Sequence, residues 1–331
     1  MVRALPAAPG EATLRVDHAR ADDLAAELEQ IGFDVDTSED VARHWSASRA
    51  DEKISDLLAR VVSHVEVARG HPTAPVHLWE DLDPCGDAGR LFYLFVIALC
   101  AAGMRDFLEG LGVPTSIVSS TCSSFVRHGE IHREKHGSNG IDAGWWQLLA
   151  LRGELLEIGR LQYHVVVGGQ STLSPIPWYD DAECARRGAG FRRGDVQFGL
   201  HIPAGEGFTA AAVDASLDEA RDVLTRVWPT DRRRLATCAS WLLDDELVDV
   251  LASTSNILSF QRRFTMVPGG YDDDADTLEF VFRRPGLRLD ELPQRTTLER
   301  AIVARLRDGG HWRSRTGWFD FDGAVLEPDI D

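Results

Sequence analysis

Hydrophobic residues in the first 150 positions recur at the spacing of α-helices. In one run, Ile54, Leu57, Leu58, Val61 and Val65 stand three or four positions apart, which places them on one face of a helix. Some of these runs begin with acidic residues, which are favourable at helix N-termini, and end at glycine or proline, which are common at helix C-termini. The pattern predicts helices at residues 21–31, 51–67, 89–111, 115–135 and 142–151.

The pattern changes after Gly153, where β-branched and aromatic residues form short runs between turns rich in glycine. Residues 168–194 have no clear period and are predicted to be a long, functional loop. The predicted strands are residues 155–167 (a strand or a hairpin), 196–202, 235–242, 265–268 and 278–283. The predicted helices are residues 210–227, 245–251, 255–264 and 297–306.

These two patterns predict an α/β (α+β) chain of two domains. A mostly helical domain covers residues 1–150, and a mixed-sheet domain covers residues 151–331. The second half does not alternate strand and helix strictly enough for a Rossmann unit. The length of 331 residues suits two domains, and 44% hydrophobic with 27% charged residues is typical of a globular protein.

Charge and cysteine usage narrow the possible partners and location. The formal net charge of −18 repels the nucleic-acid backbone, so we expect no nucleic-acid partner. A small anion remains possible, because it needs only backbone N–H groups at one helix N-terminus. Five cysteines without a C-x-x-C pair indicate free thiols in the cytoplasm. The most apolar run, residues 91–102, is too short to span a bilayer, so we expect no membrane partner.

The strand, turn and helix of residues 196–227, with HIPAGEGFT at residues 201–209, resemble the coenzyme A site of GNAT acyltransferases. SWLL at residues 240–243 and SNILSF at residues 255–260 extend the resemblance to a bacterial N-acyltransferase family with a GNAT-like C-terminal domain and a helical N-terminal domain. The resemblance covers most of the chain. Architecture and length are also similar to the N-acyltransferases of teicoplanin-type glycopeptide antibiotic pathways.

The resemblance implies an acyl-CoA-dependent N-acyltransferase. Such an enzyme transfers a long-chain fatty acyl group directly to the amino group of an amino sugar on a glycopeptide antibiotic. Acyl-CoA is then a co-substrate, with no permanently bound cofactor and no metal. One alternative is the acylation of another small amine, amino acid or peptide. Another is a sensor that binds acyl-CoA without catalysis.

The turn after the central strand carries the expected coenzyme A site. Backbone N–H groups of Ile202 or Ala204 would polarise the thioester carbonyl, whereas Pro203 has no N–H to donate. Many GNAT turns have arginine or glutamine before the glycines, and Glu206 suits a phosphate poorly. We therefore expect either that its side chain points away or that the phosphates bind at a different position on the turn. The full set of expected cofactor-binding residues is Ile202, Pro203, Ala204, Gly205, Gly207, Phe208, Thr209 and Asn256.

His201, at the end of the central strand, is the candidate general base. Its ordinary pKa near 6.5 suits proton transfer at neutral pH, and the alternative is a histidine that only bonds its neighbours. Tyr163 and His164 lie on the preceding strand, where alternation puts only one of them on the active face. Either residue would orient the amine or relay a proton, unless its role is structural. Trp178 either closes over substrate or packs on the domain.

Other chemically suggestive residues have simpler interpretations. Ser255 is expected to cap a helix, while Asn256 would approach the thioester sulfur. Three histidines spaced four apart, His128, His132 and His136, lie among basic residues, which disfavours a metal cation. Cys238 lies in a predicted core strand and is interpreted as a buried thiol.

Overall fold

The computed structural model describes residues 16, 18–72, 82, 85–167, 177–192, 194–229, 233–283 and 288–323. The chain divides into two compact units, Met1–Ile158 and Gly159–Asp331. The first unit is mostly helical and the second contains a mixed sheet. The predicted α/β fold class is therefore confirmed.

The helices of the first unit begin and end at residues suited to those positions. The Asp34 side chain accepts the N–H of Thr37 at 2.8 Å, and Asp51 caps the next helix in the same way. Gly32 and Gly137 end two helices in the left-handed conformation. The helices are α1 (Ala21–Ile31), α2 (Val35–Ala50), α3 (Glu52–Ala68), α4 (Gly86–Arg90), α5 (Phe92–Gly110), α6 (Thr115–His136) and α7 (Gly144–Leu151).

Helix α5 forms the centre of the first unit and is buried along most of its length. The rings of Phe95 and Trp45 pack with centroids 5.2 Å apart. Gly144 allows α7 to approach Tyr93, because a Cβ at residue 144 would lie 2.1 Å from Cδ2 of the tyrosine. Within the described ranges, no helix is both long enough and apolar enough to cross a membrane.

The first unit ends in a short strand, β1 (Leu155–Ile158), that is bonded to α6. The backbone N–H of Glu157 donates to the hydroxyl of Thr121 at 3.1 Å. Arg127 donates to both carboxylate oxygens of Glu157, at 2.9 and 2.6 Å. This bidentate geometry makes a strong link between the helix and the strand.

The second unit alternates short strands with helices. Its strands are β2 (Leu161–Val167), β3 (Val196–His201), β4 (Leu235–Ser240), β5 (Thr265–Met266), β6 (Tyr271–Asp272) and β7 (Arg313–Asp320). Its helices are α8 (Asp181–Arg187), α9 (Ala210–Val227), α10 (Leu247–Val250), α11 (Asn256–Gln261), α12 (Asp274–Phe282) and α13 (Thr297–Arg307), with a 3₁₀ turn at Trp241–Leu243.

The strands of the second unit lie in the order β2-β3-β4-β7-β5, and β6 also pairs with β7. All these pairs are antiparallel except β3 with β4. The register of β2 and β3 aligns Gln162 with His201 and Val167 with Val196. This single parallel pair inside an otherwise antiparallel sheet positions the candidate site described below.

The two faces of this sheet are covered by different elements. Tyr163 lies on the face under α9, where its hydroxyl is 2.9 Å from that of Ser216. Phe264 and Phe319, with ring centroids 5.2 Å apart, pack on the same face. The opposite face carries a buried cluster that we call the aromatic cluster. Its core residues are Cys184, Phe191, Leu235, Val267 and Trp318.

One predicted strand, residues 278–283, is wrong, because the structure places these residues in or just after α12. Asp273 caps this helix, and Phe282 packs in a buried cluster together with residues of α10 and α13. Leu278 and Val281, three residues apart, pack against the same cluster. A short apolar run has no clear period, so the pattern alone cannot distinguish a strand from a buried helix.

Four elements of the structure overlap none of the predicted strands or helices: α2, α8, β6 and β7. Helix α2 buries polar residues such as Thr37 and Ser38, which obscures its hydrophobic period. Helix α8 lies inside the predicted loop and is capped by Asp180. Residues 168–176 of that loop lie outside the described residues.

Gly317 in β7 makes room for Phe264, so we expect its replacement to destabilise the second unit. A Cβ at residue 317 would lie 2.7 Å from the Cβ of Phe264, an atom that no side-chain rotation can move away. Gly317→Ala should lower the free energy of unfolding by about 1–3 kcal/mol in urea denaturation. Gly110→Ala is the control, since open space surrounds residue 110. Equal stability of G317A and wild type would contradict the expected clash.

Candidate active site

The candidate site begins where β3 and β4 separate. Their parallel register ends at the pair Gly199↔Thr237. Strand β3 nevertheless continues to His201, which stays in register with Gln162 of β2. The last two residues of β3 therefore run beyond the ladder with β4, and the sheet opens at this point.

The turn of residues 202–209 connects β3 to α9. Gly205 and Gly207 have φ angles of 131° and 78°, a region that favours glycine. Thr209 caps α9, because its hydroxyl accepts the N–H of Ala212 at 3.2 Å. The first turn of α9 contains no acidic residue, so its N-terminal partial positive charge is not offset there.

The backbone N–H groups of this turn suit an anion. Those of residues 204–208 donate to no acceptor in the part of the chain that the structure describes. Glu206 is exposed to solvent, in agreement with the expectation that its side chain points away. Together with the first N–H groups of α9, these donors resemble the arrays that bind phosphate at helix N-termini.

Arg160, which belongs to none of the sequence motifs described above, contacts the same turn. Its guanidinium donates to the carbonyl oxygens of Pro203 at 2.9 Å and Gly205 at 3.0 Å. Its Cζ atom also lies 5.5 Å from the ring centroid of Phe208. The sequence signal was weak, because a lone arginine after Gly159 is typical of an ordinary surface turn.

The structure brings His201 and His164 together on one face of the sheet. Their ring centroids are 5.9 Å apart and their planes are inclined by 40°. Gly199 lies beside them, and a Cβ at that residue would be 3.5 Å from Nε2 of His201. The glycine therefore leaves space around the histidine pair.

The environment of His201 changes its proton affinity. The side chain is partly buried, and its Nε2 atom has no access to solvent. Burial lowers the pKa of His201 to about 4. The imidazole is therefore neutral at pH 7 and able to accept a proton, but it is a weaker base than a pKa near 6.5 implies.

Tyr163 lies away from the histidine pair. Alternation along β2 places it on the face opposite His164, where it is fully buried under α9. Burial also raises the pKa of its hydroxyl. Of the two adjacent candidates on β2, the structure thus places only His164 on the face that carries His201.

Helix α11 lies beside the turn. The rings of Phe208 and Phe260 have centroids 5.4 Å apart, which joins the end of the turn to this helix. Ser255 accepts the N–H of Leu258 at 3.1 Å, so its predicted role as a helix cap is confirmed. Asn256 is the first residue of α11, and its side chain is exposed.

Comparisons with known proteins agree with this arrangement. The family model of the N-acyltransferase N-terminal domain matches residues 22–153, and that of the GNAT-like C-terminal domain matches residues 155–319. The crystal structure of an acyltransferase in complex with decanoyl-CoA is 30% identical, with a TM-score of 0.72. That match covers 96% of this chain and 89% of the other. The chain belongs to the N-acyltransferases with a GNAT-like C-terminal domain.

Two further structures are similar over nearly the whole chain. An acyltransferase in complex with decanoyl-CoA and teicoplanin is 30% identical, covering 92% of this chain and 89% of that one, with a TM-score of 0.71. An acyltransferase mutant in complex with octanoyl-CoA is 29% identical, covering 96% and 90%, with a TM-score of 0.73. A search of curated proteins finds no match.

Trp178 of this N-acyltransferase packs on the aromatic cluster. Its indole N–H donates to the carbonyl of Phe191 at 3.3 Å. The two rings are nearly parallel, at 21°, with centroids 6.4 Å apart. The side chain remains partly exposed, so packing on the cluster covers only part of it.

The remaining candidates of the N-acyltransferase are held in structural contacts. His128 and His132 each place Nδ1 3.0 Å from a backbone carbonyl oxygen, and His132 stacks near His136. Among the described residues, no group of three metal-ligating side chains is arranged to hold a metal ion. Burial raises the pKa of Cys238 to about 12, which keeps the thiol protonated and unreactive.

The lowered pKa of His201 predicts an unusual titration. In an NMR titration, the His201 ring should stay neutral from pH 8 to pH 5 and change with a midpoint of about 4. His311 is the internal control, because its exposed ring bonds to Asp274 at 2.7 Å and its pKa is raised. A His201→Asn variant assigns the signal. A His201 midpoint near 6.5 would contradict the burial that we describe.

The same shift predicts how stability depends on pH. Because folding lowers the pKa of His201, the unfolded chain binds a proton that the folded chain does not between about pH 6.5 and pH 4. His201 should therefore make the free energy of unfolding fall as pH decreases through this window, by up to about 1.4 kcal/mol per pH unit. The free energies of unfolding of wild type and His201→Asn, measured by urea denaturation, should change with pH at different rates in this window. Above pH 7 the two rates should agree.

Proposed function

We propose that this protein is an acyl-CoA-dependent N-acyltransferase that transfers a long-chain fatty acyl group to an amino sugar of a glycopeptide antibiotic. The similarity to an acyltransferase bound to decanoyl-CoA and teicoplanin carries this proposal. It extends over 92% of this chain and 89% of the other, so it involves both matched domains and not an isolated module.

In this proposal the pyrophosphate of acyl-CoA binds at the turn between β3 and α9. The N–H groups of residues 204–208 and the N-terminus of α9 supply donors and partial positive charge. The two left-handed glycines allow close approach of the phosphates. Phe208, Thr209 and Asn256 border the same site. These local dipoles attract an anion even though the chain carries a net charge of −18.

The reaction is a direct transfer between the two bound substrates. The amine nitrogen attacks the thioester carbon, the C–N bond forms, and the C–S bond breaks. His201 or His164 accepts the proton that the amine releases, and this proton can then neutralise the departing thiolate. A neutral imidazole suits this role, and burial keeps His201 neutral at the pH where the amine reacts.

The developing oxyanion requires a donor near the end of β3. Of the two candidates, the N–H of Ile202 supplies it in our proposal, because Ile202 directly follows the strand end that runs beyond β4 and the N–H of Ala204 is assigned to the pyrophosphate. Pro203 restricts the backbone conformation of the turn but cannot donate a hydrogen bond, since it lacks an N–H.

The rest of the chain fits the same proposal. We assign residues 1–150 to a helical N-terminal acyltransferase domain and residues 151–331 to the GNAT-like domain. The exposed side of Trp178 is assigned to the amine substrate, whose sugar rings pack well on aromatic surfaces. The five cysteines are all free thiols, which supports a cytoplasmic location.

Product analysis tests the proposed substrates. The protein should acylate a teicoplanin-type pseudoaglycone bearing a free glucosamine, with decanoyl-CoA as donor, and mass spectrometry should show the mass of one decanoyl group added to the sugar. The aglycone without the sugar should give no product. Product only with simple amines, amino acids or peptides would replace the glycopeptide by another acceptor. Acyl-CoA binding without turnover on any amine would indicate a sensor.

The intact protein provides the control for direct transfer. After incubation with decanoyl-CoA and no amine, its mass should be unchanged, because no side chain is acylated in the proposed mechanism. A stable increase by one acyl group would instead show a covalent intermediate.

Replacing His201 tests the proposed base. His201→Ala should lower kcat by at least about 100-fold, because the proton acceptor is lost. The Kd for CoA, measured by calorimetry, should stay within about twofold, since the phosphate site is made of backbone groups. His311→Ala, a change at an exposed histidine, should leave kcat unchanged. Full activity of H201A together with inactive H164A would move the role to His164.

A further inference from the structure

Arg160 contacts the phosphate-binding turn from the side of its carbonyl groups. One guanidinium nitrogen donates to the oxygen of Pro203 and the other to that of Gly205. The two carbonyls are two residues apart, so the planar guanidinium bridges alternate peptide units of the turn. Its position over the Phe208 ring fixes the plane of the group further.

This contact determines where two N–H groups of the turn point. In a trans peptide the C=O and the N–H project in opposite directions, and the structure contains no cis peptide among its described residues. The carbonyl of Pro203 shares a peptide plane with the N–H of Ala204, and that of Gly205 shares one with the N–H of Glu206. Because both carbonyls face Arg160, both N–H groups face the other side of the turn.

The positive charge of Arg160 also strengthens those donors. A guanidinium bonded to a carbonyl oxygen polarises the peptide unit, which makes the attached N–H a better donor to an anion. The turn itself contains no basic residue, and its one charged side chain is Glu206. Arg160 therefore brings to the turn a cationic group that the sequence of the turn lacks.

We infer that Arg160 is a positioning residue for the pyrophosphate of acyl-CoA, and that it acts through the peptide units of Pro203–Ala204 and Gly205–Glu206. This inference rests on the proposed function. The guanidinium lies behind the turn, holds two N–H donors on the ligand side and polarises them. It also keeps a flexible turn with two glycines in one conformation, so less entropy is lost when the anion binds.

Two acyl donors that differ only in the nucleotide part distinguish a role of Arg160 in pyrophosphate binding from a general structural role. Decanoyl-CoA carries the pyrophosphate, and decanoyl-pantetheine offers the same thioester without it. The variants are Arg160→Ala and Arg160→Lys. The matched control is Arg226→Ala, which removes an exposed arginine of equal charge from the last turn of α9.

We expect Arg160→Ala to raise the Kd for CoA in calorimetry and the KM for decanoyl-CoA at least about tenfold, equivalent to about 1.4 kcal/mol. Turnover with saturating decanoyl-CoA, and kcat/KM with decanoyl-pantetheine, should change less than about threefold. Arg160→Lys keeps the charge but cannot bridge both carbonyls, so its Kd should lie between those of wild type and R160A. R226A should match wild type.

Two results would overturn the inference. One is a Kd for CoA in R160A that equals those of R226A and wild type. The other is an equal loss of kcat/KM with decanoyl-CoA and decanoyl-pantetheine, which would indicate a merely structural role. The binding assay distinguishes this inference from the proposed function: tight CoA binding that depends on Arg160, without acyl transfer to any amine, would refute the enzyme and leave the role of Arg160 intact.

Discussion

The separation of β3 from β4 after Gly199 is the constraint on which the candidate site depends. Parallel neighbours normally satisfy each other's backbone groups, so a strand that outruns its partner presents N–H and C=O groups where a ligand can use them. His201 is the last residue of β3, and the turn and α9 follow it directly. The residues that we propose as the general base, the oxyanion donor and the anion site thus occupy one short stretch of sequence.

A strongly acidic protein binds a polyanionic donor in this scheme by using dipoles in place of side-chain charges. The helix N-terminus and the turn act over only a few ångströms, whereas the net charge of −18 is spread over the surface and screened by salt. His201 at the end of β3 is also uncharged at neutral pH, because burial lowers its pKa. In the proposed site, local geometry and not overall charge therefore controls which anion binds.

Features that depend on neighbouring residues in the chain were predicted well. The helix of residues 210–227, its cap at Thr209 and the glycine turn all have local signals, and the structure has each of them. The opposite faces of Tyr163 and His164 also follow from alternation, but which residue joins His201 depends on the register between β2 and β3. The contact of Arg160 with the turn could not be predicted for a related reason, because its partners lie more than forty residues away in the sequence. Helix α12 could not be predicted from its own short apolar run, because its helical conformation depends on the cluster against which it packs.

The turn of residues 202–209 also has a consequence for how such sites diverge. Its donors are main-chain groups, so the turn requires a conformation more than it requires particular side chains. Positions 204 and 206 can then accept substitutions that would abolish a site built from lysine or arginine, which explains how an acidic residue is accommodated at Glu206. Motif searches that look for charged residues would pass over this kind of site, whereas the spacing of its two left-handed glycines and the helix cap would reveal it.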